Sequence, residues 1–104
     1  MNATADPEVL RLTGALDFET LPGVIAESEK FVARPDLPAR LTIDFSGVAG
    51  VDSSAVALLL EWRRRALERG VALEFVALPA NLLALAELYG VAQIIQPPAH
   101  GSAP

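Results

Sequence analysis

The chain has 104 residues, 52 % of them hydrophobic and only 6 % aromatic, with a net charge of −5 and no cysteine. That length gives one domain, with a core of Leu, Val, Ile and Ala. The composition excludes disulfides, thiol catalysis and cysteine-held metals, and the acidic balance argues against direct binding to nucleic acid or an anionic membrane.

No apolar run approaches the roughly 20 residues that cross a bilayer. The first residues also lack a basic-then-apolar signal pattern. A cytoplasmic chain without direct membrane insertion is therefore expected.

Residues 1–7, MNATADP, show no periodicity and are expected to form a flexible arm ahead of a domain at 8–96. Leu10 and Leu12 alternate with polar neighbours before Gly14, which predicts a strand over Val9–Thr13 that continues or turns through Phe18. Leu21, Val24, Ile25, Ser28, Phe31 and Val32 then fall on one helical face, opposite Glu27, Glu29 and Lys30. Thr20 suits the N-cap and Pro22 the first turn, and the helix must stop before Pro35.

Leu41, Ile43 and Phe45 alternate as the inward side of a second strand, and Ser46–Val51 reads as a connection whose glycines permit close backbone approach. The longest helix is predicted from about Ser53 to Arg69, with Gly70 at its end and Arg63, Arg64, Arg65 and Arg69 toward the negative pole. Val71–Val76 is a third strand. Pro79 opens a leucine-rich helix over Ala80–Tyr89 that Gly90 stops. Its leucines read as core rather than a second interface. Val91–Ile95 fits a short strand or a helical turn, and a disordered tail is expected at 97–104. Strands alternating with helices imply an α/β domain with βαβ crossovers.

Chemistry has few places to sit. No G-x-x-x-x-G-K-[ST] occurs, and SGVAG at 46–50 lacks the lysine and the spacing that grip phosphates. The one histidine, His100, lies in the expected tail, so a Ser-His-Asp relay has no fixed base. Ser53 sits in V-D-S-S-A without the glycines of a nucleophile elbow. The carboxylates are scattered over helix faces. No catalytic residue, no metal and no cofactor are expected, and the chain reads as non-enzymatic.

Asp52 and Ser53 need another account. Either side chain suits a helix cap. The sharper reading is a switch: a phosphate on Ser53 would face the positive helix pole and repel an acidic partner. On the long helix, Val56, Leu58, Leu59, Leu60, Trp62, Ala66 and Leu67 span more than half the circumference with Arg63 among them. Arg63 either lays its aliphatic stem along the core or belongs, with Trp62, to a docking surface.

The stretch L-T-I-D-F-S-G-V-x-x-V-D-S-S-A-x-A-L-L-L from Leu41 resembles the STAS domain, found in anti-sigma-factor antagonists and attached to anion transporters. GVALEFVALPANLLALAELYGV resembles the free-standing MlaB-type STAS subunit of bacterial lipid-transport ABC complexes, and GALDFETLP fits the same group. The resemblance covers roughly residues 9–95. It implies a mixed β-sheet with strands alternating with the helices that cover it. The fold often has a further N-terminal strand, for which the chain before Val9 is short and polar. Ser53 matches the position that anti-sigma kinases phosphorylate, which in MlaB-type subunits meets the ATPase. Asp52 and Ser54 match its neighbours, whereas Ala55 stands where the family usually has glycine. The resemblance implies contact through the Asp52–Ser54 loop and the start of the following helix, and with the docking reading of Arg63 the expected partner-binding residues are Asp52, Ser53, Ser54, Val56 and Arg63. It also implies a partner: the ATPase subunit of a phospholipid-transport ABC complex at the inner membrane face, or alternatively an anti-sigma-factor kinase.

Overall fold

A computed structural model describes residues 8–96; the arm expected at 1–7 and the tail expected at 97–104 lie outside them. The order is β1 (Glu8–Leu16), α1 (Leu21–Val32), β2 (Arg40–Val51), α2 (Ser53–Arg69), β3 (Ala72–Val76), α3 (Ala80–Leu88) and α4 (Ala92–Ile95). The three strands lie side by side in chain order, and both pairings are parallel. The mixed sheet would need an antiparallel strand, and none is present among the described residues.

Sequential parallel strands joined by right-handed crossovers place every connecting helix on the same side of the sheet. Side-chain alternation agrees: Leu10, Leu12, Leu41, Ile43, Phe45, Leu73 and Phe75 share one core cluster with α1, α2, α3 and α4. The other face carries Val9, which is 57 % exposed, and an Arg11–Asp44 ion pair of 3.3 Å between paired strand positions. Phe45 and Phe75 meet edge to face, with centroids 5.6 Å apart, at the centre of the covered face.

The helices press on this face unequally. α2 buries Ala55, Val56, Leu58, Leu59 and Trp62, whereas α3 buries Leu82 and Ala86 and the short α4 buries Ile95. Leu88, at the end of the leucine-rich α3, is 75 % exposed and outside the core. α1 turns its expected face inward, but none of its residues is fully buried.

Gly70 and Gly90 both take positive φ after helix ends, as expected. At the first, the Val71 N–H donates to Ala66 O at 2.9 Å, closing the end of α2 and aiming the chain into β3. Val91–Ile95 resolves as a turn of helix rather than a strand.

The segment Ser46–Val51 is not a loop. β2 runs through it for 12 residues and pairs with β1 as far as Leu16–Val51. The pairing survives the small residues because β2 twice inserts an extra residue, between Arg11/Thr13 and between Gly14/Ala15 of its partner. At the first of these bulges a Cβ on Gly47 would lie 2.7 Å from Leu12 O, so only glycine fits. The bulged end of β2 then delivers the chain to Asp52.

Candidate functional site at the mouth of helix α2

Asp52 is the cap of α2. Its backbone is extended, with φ −131° and ψ −172°, and its carboxylate accepts from the Ser54 N–H at 2.9 Å and from the Ser54 hydroxyl. Its second oxygen accepts from the Phe18 N–H at 3.1 Å, across a sequence separation of 34 residues. The Asp52 N–H itself donates to Leu16 O at 3.3 Å, continuing the strand pairing into the helix start. The Ser54 hydroxyl, then the Phe18 and Ser54 main-chain N–H groups, hold the Asp52 carboxyl below the ordinary aspartate range.

Sequence reasoning allowed either Asp52 or Ser53 to cap the helix; the structure assigns the duty to Asp52 alone. Ser53 is exposed, and among the described residues its hydroxyl makes no hydrogen bond. It stands at the positive pole of a 17-residue helix with no acidic side chain in its first turn.

Two of the five residues expected at the contact face turn inward instead. Val56 is 3 % exposed and belongs to the core. Arg63 donates to Leu73 O and Ile95 O and lies 4.8 Å above the Phe75 ring, so it fastens α2 to β3 and α4. Burial lowers its pKa from the ordinary arginine value, because carbonyls and a ring surround it rather than a carboxylate. Trp62 is 8 % exposed, which makes it core and not a docking anchor. A wide apolar arc on a helical wheel does not say which part faces the sheet, so the choice between core and docking surface for Trp62 and Arg63 needs the fold.

Phe18 is the residue the sequence did not single out. It is 79 % exposed, in the turn between β1 and α1 that Asp52 ties to α2. Its signal was present: a bulky aromatic between Asp17 and Thr20, the two polar residues that build the turn. The Asp17 carboxylate accepts from the Glu19 and Thr20 N–H groups at 3.0 Å each. Thr20 occupies the N-cap position of α1, but its hydroxyl bends back to donate to Ala15 O at 2.8 Å, so it fixes the turn and not the helix. The exposed surface at this end therefore includes Phe18, Glu19 and Ser53 about a fixed carboxylate.

What this arrangement can do chemically is limited. Asp52 is the carboxylate beside Ser53, and its lone pairs are engaged and its basicity reduced, which makes it a poor general base. His100 lies outside the described residues. Among the described residues no three His, Cys, Asp or Glu side chains gather where they could hold a metal, and no helix is long and apolar enough to cross a membrane.

The chain is a parallel α/β layer with a serine presented just past the end of its central strand. A family model described as "Mlab, STAS domain" matches residues 1–97, and the chain belongs to that STAS domain family. No curated protein matches the sequence.

Proposed function

We propose that this chain is a non-enzymatic STAS subunit that binds the ATPase of a bacterial Mla-type phospholipid-transport ABC complex. It stabilises or regulates that ATPase from the cytoplasmic face of the inner membrane. The observation that carries the reading is the exposed pair Phe18 and Ser53, held together by a cap residue that is itself unavailable for chemistry. An aromatic anchor beside a small polar residue suits a protein contact, and the family's description agrees with the MlaB-type resemblance from which the partner is inferred.

Co-expression with the cognate ATPase tests this. The wild-type chain should co-purify with it. Phe18→Ala and Ser53→Glu should each weaken the complex about tenfold or more, the loss of a central contact residue. Undiminished co-purification of both variants would reject the site.

A second reading is favoured by one specific observation, the free and exposed Ser53 hydroxyl. In this reading the chain is an anti-sigma-factor antagonist, and a kinase phosphorylates Ser53 to release the partner. Incubation with the cognate kinase and ATP should then add one phosphate by mass spectrometry. Ser53→Ala should add none.

A further inference from the structure

A cavity of about 720 Å³ lies between α1, the covered face of the sheet and the C-terminal half of α2. Small-molecule sites typically occupy about 300–1,000 Å³. Leu10, Leu12, Val24, Phe31, Ile43 and Leu73 supply much of its wall. The lining follows α1 from Thr20 to Val32, about 18 Å of helix at 1.5 Å per residue, so the space is elongated.

The space is open to solvent along one side, so its apolar lining stays in contact with water, which costs stability in proportion to the apolar area left uncovered. It persists for reasons written in α1 and α2. Over the cavity α1 carries Gly23, whose added Cβ would meet nothing within 4 Å, and Ser28, whose hydroxyl turns back to Ile25 O at 2.8 Å. A helix built only to seal a core would place large side chains there. Long side chains span the gap and tie the two helices together across it: Arg65 reaches Glu29 at 3.4 Å, and Arg69 donates to Val32 O at 3.0 Å.

The charge at the wall is also directed. In a chain of net charge −5, the helices lining the cavity bring Arg65 and Arg69 to it against the single carboxylate of Glu27, while the Arg11 side chain lies on the other face of the sheet. Arg11 pairs with Asp44, and Arg65 pairs with Glu61 and Glu29. Arg69 has only a main-chain carbonyl as partner among the described residues, which leaves its charge without a counter-ion.

A long apolar trough with one unneutralised guanidinium at its end matches a particular chemistry. We infer that this cavity binds a free single-chain amphiphile with an anionic end, the anion of a long-chain fatty acid, with the tail along α1 and the carboxylate on Arg69. A nucleotide would need the phosphate-gripping backbone that the sequence lacks, and a polar metabolite would find too few partners in these walls. The inference stands independently of which partner meets Ser53.

Trp62 is the only tryptophan of the chain and lines the cavity, so its fluorescence reports occupancy directly. Dodecanoate, added to the full-length protein below its micellar concentration, should change that fluorescence saturably. It should bind about tenfold more tightly than dodecanol, and Arg69→Ala should abolish that difference. Gly23→Leu should fill the mouth, raise Tm and remove the response to both ligands; if that variant does not fold, Ser28→Leu serves in its place. Three results would each overturn the inference. They are no saturable response in the wild type, an unaltered response in the filled variant, and a response to phosphatidylglycerol vesicles but not to monomeric dodecanoate. Equal affinity for dodecanol and dodecanoate would overturn the assignment of the anionic end to Arg69.

Discussion

Asp52 and Ser53 are adjacent in sequence and opposite in duty. The Asp52 carboxylate ties the first turn of α2 to the turn that holds Phe18, whereas the Ser53 side chain holds nothing. Their substitutions should therefore separate stability from binding. Asp52→Ala is expected to lower Tm by about 4–8 °C, the effect of removing one cap from a domain of this size. Asp52→Asn should lose less, because one acceptor oxygen remains for the Ser54 N–H. Ser53→Ala should leave Tm within about 2 °C of wild type, as surface changes usually do. Thermal unfolding followed by circular dichroism checks all three, and a large loss for Ser53→Ala would show that the serine is structural. From sequence the helix start itself was legible, since Asp, Ser and Ser before an apolar run announce one. Which of them caps was not. That choice depends on Leu16 and Phe18, far away in the chain, which fix the Asp52 backbone in an extended state.

At the scale of elements, β2 is the part that sequence patterns misdescribe. Ser46–Val51 contains two glycines and an alanine, residues that weaken a strand on local grounds. Pairing with β1 overrides that weakness, and the two bulges absorb the mismatch in length. At Gly47 an added Cβ would lie 2.7 Å from Leu12 O, a main-chain oxygen that cannot rotate away. Gly47→Ala should accordingly cost about 1–3 kcal/mol. Gly50→Ala, with nothing within 4 Å of its added Cβ, should cost far less. Urea unfolding of the two variants makes the comparison, and equal losses would remove the argument from close approach. The helices were far more legible. The face predicted for α1 is the half-buried one, and Gly70 and Gly90 end their helices as glycines at C′ positions do.

Across the whole molecule, several carboxylates are held below their ordinary range and together set its response to acid. Arg64 and then Arg65 draw Glu61 down to about 2. The Arg34 guanidinium lowers Asp36, the Ser46 main-chain N–H lowers Asp44, and the Ser54 hydroxyl lowers Asp52. In the unfolded chain these groups titrate near about 3.9–4.3. As pH falls below that range the unfolded state takes up protons that the folded state does not, so folding stability must decline. Tm should be flat from pH 7 to about pH 5 and then fall steadily between about pH 4 and pH 2, less steeply in high salt because the pairs are exposed. An unchanged Tm from pH 5 to pH 3 would contradict this. At this scale the alternation of strand and helix was enough to foresee an α/β domain. It was not enough to foresee that the described sheet is wholly parallel, or that all helices share one side. Those properties follow from strand order, which no local pattern records.

One consequence of the cap concerns connectivity rather than stability. Asp52 grips Phe18 on one side and the first turn of α2 on the other, and α2 is a rod of 17 residues, about 25 Å long. At the far end of that rod Arg69 holds the last turn of α1, above the apolar cavity. The turn that carries Phe18 and the last turn of α1 are thus tied to opposite ends of one helix.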